Sequence, residues 1–92
     1  MTVKEIIQTD KGTIIDVRTP GEFMGGNVAG SINIPLPELP NRLEDIKILE
    51  EPFILCCASG GRSEQATQFL SAQNIECYNG GGWMEVNYLK TL

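Results

Sequence analysis

The sequence predicts an α/β domain: a parallel sheet with helices on both faces. Three observations lead there. Short β-branched and apolar runs alternate along the chain with segments of helical period, the pattern of βαβ units. The strand candidates are continuous apolar runs, as strands buried on both faces require. The chain has 92 residues, enough for one small domain with a thin core. We therefore expect a single domain over residues 1–92.

Each element has a local reason. Val3–Gln8, "VKEIIQ", is a short amphipathic helix, and Lys11-Gly12 is a turn. Thr13–Val17, "TIIDV", is a buried strand because it is β-branched and mostly apolar. Thr19 caps a short helix that has Pro20 at its first position, and Gly25-Gly26 ends it. Ser31–Ile34 is a short strand closed by Pro35. Leu39, Leu43, Ile46 and Leu49 recur at helical spacing in a segment interrupted early by Pro37 and Pro40. Phe53–Cys57, "FILCC", is the next buried strand. Ala66, Phe69 and Leu70 give the following segment one apolar helical face. Ile75–Tyr78 is the last strand, Gly80–Gly82 a flexible turn, and the segment from Trp83 a terminal helix.

Charge and cysteine usage exclude several classes of function. The net charge is −5 and there is no histidine, which argues against binding nucleic acid or an anionic membrane. No apolar stretch is long enough for a membrane span. The start lacks the basic and apolar regions of a signal peptide, so the chain reads as cytoplasmic. The three cysteines are an odd number, and Cys56 and Cys57 are adjacent, which is no disulfide framework. Without histidine a zinc site is not expected, and no cofactor motif is present.

In open parallel sheets, ligands bind at the carboxyl ends of the strands. Two segments rich in chemistry fall there: Asp16-Val17-Arg18, and Cys57 to Ser63, "CASGGRS". Cys57 is expected as the first residue past its strand. Ala58, Ser59, Gly60 and Gly61 are small, and the glycines permit backbone that turns several N–H groups inward. Arg62 and Ser63 open a helix whose N-terminus adds partial positive charge. A thiol in this cradle ionises at a depressed pKa, and the same cradle holds an anionic sulfur species. Arg62 has two roles open to it, substrate contact and loop anchor. Ser63 reads as a helix cap or loop brace whose amide lines the nest. Asp16 and Arg18 read as a structural pair near the pocket, with a catalytic role as the alternative. Cys56, on the opposite strand face, reads as a core thiol, with a redox role toward Cys57 as the alternative. Cys77 and Trp83 read as packing residues. Glu44, Asp45, Glu50 and Glu51 read as a solvated acidic edge.

At these residues the sequence resembles the single-domain rhodaneses, the thiosulfate sulfurtransferases. "CASGGRS" matches that family's C-x-x-G-x-R-S loop. Ile14–Pro35, "IIDVRTPGEFMGGNVAGSINIP", is similar to its other block, although Asn27 stands where the family often has histidine. "GGW" at Gly81–Trp83 resembles its C-terminal element, and the family's frequent second tryptophan falls near Val86. The resemblance implies a three-layer α/β/α fold on a five-stranded parallel sheet, hence a further edge strand near Thr2–Lys4. It implies sulfane-sulfur transfer through a persulfide on Cys57, with the amides of Ala58 to Ser63 holding the anion. The implied partners are small sulfur anions (thiosulfate, persulfides), thiol acceptors and a sulfur-relay protein. The loop from Cys57 to Arg62 has six residues, the sulfurtransferase length, against the longer loop of related phosphatases. Because Ala58 and Ser59 are uncharged, the resemblance also implies that thiosulfate is a poor donor. A persulfide carrier without turnover of its own is the second reading, and a phosphatase-like activity the third.

Overall fold

A computed structural model describes residues 1–92. The elements follow in chain order as α1 (Val3–Gln8), β1 (Thr13–Asp16), α2 (Pro20–Met24) and β2 (Ile32–Asn33). A 3-10 segment (Leu36–Arg42) leads into α3 (Leu43–Lys47), then β3 (Phe53–Cys57), α4 (Gly61–Ala72), β4 (Cys77–Gly82) and α5 (Trp83–Lys90). The strands form one parallel sheet in the order β2-β1-β3-β4. Chain direction across the sheet reverses between β1 and β3, so the switch point lies where those strands end.

Side-chain alternation along β3 builds the three layers. Phe53, Leu55 and Cys57 face a core completed by Ile46 of α3 and by Ala66 and Leu70 of α4. Ile54 and Cys56 face the other way, onto Ile6 and Ile7 of α1 and Val86 of α5. Every residue of β3 is buried, which explains why its sequence is an unbroken apolar run.

The sheet has four strands, not the five that the family resemblance implies. The segment near Thr2–Lys4 is the start of α1. Thr2 Oγ1 accepts from the Glu5 N–H at 3.2 Å, and Glu5 Oε1 accepts from the Thr2 N–H at 3.0 Å. This reciprocal capping box commits the segment to helix, as the apolar spacing of "VKEIIQ" predicts.

The last strand also differs from expectation. It begins at Cys77 rather than Ile75, and it runs through Gly80–Gly82, which the sequence reads as a turn. Leu55 pairs with Asn79 but Cys56 pairs with Gly81, so Gly80 is the extra residue of a bulge. A Cβ on Gly80 would lie 2.7 Å from Ile54 Cγ2 and 3.2 Å from the Leu55 carbonyl oxygen. Glycine is there because the chains approach too closely for a side chain, not because the segment turns. The proline-rich segment resolves as the sequence suggests: Pro37 and Pro40 restrict it to a 3-10 helix, and α-helix begins only at Leu43.

Candidate functional site

The site forms at the carboxyl ends of β1 and β3. Cys57 is the last residue of β3, paired with Gly82, rather than the first residue beyond the strand. The pairing extends that far because Gly82 has no Cβ, which would meet the Ala58 carbonyl oxygen at 3.0 Å. Gly60 takes φ 105° and stands at the N-cap of α4, a conformation that costs other residues strain.

This turn brings donors onto the sulfur. Cys57 Sγ accepts from the Gly60 N–H at 3.0 Å and from the Ser63 N–H at 3.4 Å, and Ser63 Oγ lies 3.4 Å away. Burial pushes the Cys57 thiol up. The Ser63 hydroxyl and the N–H groups of Ser63, Gly60 and Ser59 outweigh that burial and hold its pKa at about 7, below the ordinary 9.0. Cys56, one residue earlier, shows the opposite case. Burial, with Asp16 beside it, pushes its thiol up to about 12. Cys56 packs in the second core and Cys77 is also held up by burial, so both remain neutral thiols at neutral pH.

Ser63 does not cap α4. It is the third residue of the helix, fully buried, and it braces the loop. Ser63 Oγ lies within donating distance of both Asn79 Oδ1 (2.6 Å) and Cys57 Sγ (3.4 Å), while Asn79 Nδ2 donates to the Gly60 carbonyl at 3.1 Å. The Gly81 N–H donates to the same Asn79 oxygen at 2.9 Å, which fixes the orientation of the amide. Asn79 therefore ties the cradle to β4, and sequence reading missed it. The only available sign was its place directly before a glycine run.

Asp16 and Arg18 are both buried and bound to each other. Arg18 Nε lies 3.0 and 2.9 Å from the two Asp16 carboxylate oxygens, and Arg18 Nη2 lies 2.7 Å from Oδ2. Arg18 also donates to the carbonyls of Glu22 (3.3 Å) and Gly26 (2.6 Å), and its guanidinium sits 4.7 Å from the Trp83 ring centroid. Every face of this cation is occupied by the protein. It pins the loop after β1 and the start of α5 beside the cradle, the structural role.

Arg62 is the second cation at the site. Its Nη1 and Nη2 meet Glu22 Oε1 and Oε2 at 2.7 and 3.0 Å, a bidentate pair joining α4 to α2. Glu22 also accepts from the Thr19 N–H at 3.0 Å as part of the cap of α2. Arg62 beside it, then the Thr19 amide, hold the Glu22 carboxyl at about 2, below its ordinary 4.5. The sequence named Arg62 but gave no role to Glu22. Asn27, where the related pattern often has histidine, donates to the Phe23 carbonyl at 2.8 Å, at the end of α2.

The cradle is open. The largest concavity, about 480 Å³, lies at the opposite end of the sheet, by the amino ends of β1 and β2, bordered by Ile7, Lys11, Ile32 and Lys90. No helix is long and apolar enough to cross a membrane.

A small α/β domain with a thiol at the sheet's switch point, its sulfur facing backbone amides at a helix N-terminus, has a donor set of the kind that suits an anion. Comparison narrows the class. Residues 2–87 match the Rhodanese-like domain, and the chain belongs to that family. It is 41% identical to Bacillus subtilis YqhL, over 75% of this chain and 55% of that one. It is 29% identical to the Allochromatium vinosum "Sulfurtransferase", over 76% of this chain and 64% of that one. It is 31% identical to the B. subtilis "Putative sulfur carrier protein YrkF", over 79% of this chain and 40% of that one. The chain thus spans less than two thirds of these relatives. The solved structure "rhodanese with anions from E. coli" superposes with TM-score 0.72 at 32% identity, covering 79% of this chain and 88% of the other.

Proposed function

We propose that the chain is a cytoplasmic sulfurtransferase, a single domain over residues 1–92, carrying sulfane sulfur on Cys57. The Cys57 thiolate attacks the outer sulfur of thiosulfate or a persulfide. The donor's S–S bond breaks, its electron pair leaves with sulfite or a thiolate, and a new S–S bond gives Cys57–S–S⁻. A thiol or cyanide acceptor then takes the terminal sulfur and Cys57 leaves as thiolate. Both leaving groups are stable anions, so the cycle requires no proton donor, and the lack of histidine is no obstacle.

One observation carries the reading: Cys57 Sγ lies 3.0 Å from the Gly60 N–H and 3.4 Å from the Ser63 N–H, within the loop Ala58, Ser59, Gly60, Gly61, Arg62 and Ser63. Those donors suit a thiolate and, with the sulfur one bond further out, a persulfide anion. The sulfurtransferase relative supports the same reading. Asp16 and Arg18 are positioning residues in it.

Intact mass after excess thiosulfate or a low-molecular-weight persulfide, then cyanide, tests it in wild type and Cys57→Ser. The expected result is one added sulfur on wild type, removed by cyanide, and none on the variant. A wild type that takes no sulfur from either donor would sink the reading. The relative named as a sulfur carrier favours a second form of it, in which a partner protein delivers and removes the sulfur. In that form loading occurs but turnover with small acceptors does not. Hydrolysis of an aryl phosphate without sulfur loading would instead indicate phosphatase chemistry.

A further inference from the structure

The charges around the cradle are all committed. The chain has seven lysines and arginines, and Arg18, Arg42, Lys47, Arg62 and Lys90 each pair with a carboxylate. Of the others, Lys11 borders the concavity at the amino ends of the strands. Lys4 lies on α1, and Met1 at the start of the chain borders Pro52 and Glu76, just before β3 and β4, at that same end of the sheet. At the cradle itself the cations are Arg18, enclosed by Asp16, carbonyls and Trp83, and Arg62, held through both nitrogens by Glu22. Glu64, which accepts from Asn79 Nδ2 at 3.3 Å, adds a negative charge beside the loop. The attraction there comes from neutral amides.

We propose that Glu22 is a specificity-determining residue: by holding Arg62 it leaves the Cys57 rim without a free cation, and the site takes sulfur from persulfides of thiols in preference to the thiosulfate dianion. This rests on the sulfur-transfer reading above. The two half-reactions differ in charge. Attack of the Cys57 thiolate on R–S–S⁻ gives Cys57–S–S⁻ and R–S⁻. Attack on S₂O₃²⁻ gives Cys57–S–S⁻ and SO₃²⁻, with one more negative charge in the cradle throughout. Backbone amides can hold a single anionic sulfur, whereas a dianion approaching a thiolate requires a compensating cation. Arg62 lies on the loop that carries Cys57, and both of its terminal nitrogens are engaged by Glu22.

The test is the ratio of kcat/KM for thiosulfate to that for 2-mercaptoethanol persulfide, a monoanion, with cyanide as acceptor. Glu22→Gln, which frees Arg62, is expected to raise this ratio about tenfold, the scale on which a freed charge in a cleft alters encounter with an ion. The gain should fade with added salt. Arg62→Gln, which leaves the Glu22 carboxylate unpaired at the same rim, is expected to lower the ratio. Folding of each variant is checked by its melting curve, and either folded variant suffices. If the ratio stays within a factor of two of wild type in the folded variants, with both donors loading Cys57, the pair is only structural and this inference falls alone. If neither donor loads Cys57 in wild type, the sulfur-transfer reading itself has failed, and this inference with it.

Discussion

At the scale of single residues, the chemistry depends on which groups reach one sulfur. Cys57 at a pKa of about 7 is substantially ionised at neutral pH, while Cys56 at about 12 is not. Alkylation by iodoacetamide should therefore rise to half its maximum near pH 7 and map to Cys57 by peptide mass analysis. Ser63→Ala should move that midpoint up by about one pH unit, the worth of a hydrogen bond to a charged group. An unmoved midpoint would mean that the Ser63 hydroxyl donates to Asn79 Oδ1, its nearest acceptor at 2.6 Å, and not to Cys57. The Asp16–Arg18 pair answers to a different measurement. Both side chains are buried, so Asp16→Ala leaves a charge without its partner and should cost about 3–5 kcal/mol in urea unfolding. A loss under 1 kcal/mol on the same scale would show that water replaces the carboxylate.

At the scale of elements, capping and close approach decide conformation. Thr2 with Glu5 and Thr19 with Glu22 form capping boxes that start α1 and α2. The second could be read from Thr19-Pro20. At the first, the local helical spacing of Val3–Gln8 prevails over the edge strand that the resemblance implies near Thr2–Lys4. Gly80–Gly82 shows the reverse: local composition reads as a turn, yet the segment is strand because β3 and α5 press against it. Gly80→Ala should destabilise by about 1–3 kcal/mol, since its Cβ would meet Ile54 Cγ2 at 2.7 Å. The bulge at Gly80 also sets where Asn79 sits relative to Ser63. The same variant should therefore slow Cys57 alkylation at pH 7, whereas an unchanged rate would separate the bulge from the cradle.

At the scale of the whole molecule, the perturbed groups set how stability follows pH. Cys57 has its folded pKa lowered from 9.0 to about 7, so its contribution is absent below pH 7 and complete above pH 9. Cys56 is raised from 9.0 to about 12, so burying it as a neutral thiol helps below pH 9 and is lost toward pH 12. Glu22, lowered from 4.5 to about 2, contributes above pH 4.5 and loses that contribution as the pH falls toward 2. Its side chain is partly exposed, and the effect is screened accordingly. The gap in urea midpoint between wild type and Cys57→Ala should therefore change in favour of wild type from pH 6 to pH 9. A constant gap would show that the native cradle does not prefer the thiolate.

The sequence by itself determined the parts whose causes are local. The alternation of apolar runs with helical segments specified the layered α/β fold. Thr19-Pro20 specified the start of α2. Cys57 followed by small residues and Arg62 specified a thiol at a loop opening a helix. Tertiary structure alone decided the partners. Glu22 meets Arg62 across 40 positions of chain, and Ser63 meets Asn79 across 16, so no pattern within one element reports either contact. It also decided that Gly80–Gly82 run as strand, with Gly81 and Gly82 paired to β3, and the space denied to a Cβ at Gly80 belongs to Ile54 and Val86 on other elements. Periodicity and capping act over a few residues, whereas a hydrogen bond or a steric limit acts between whatever the fold brings within a few ångströms.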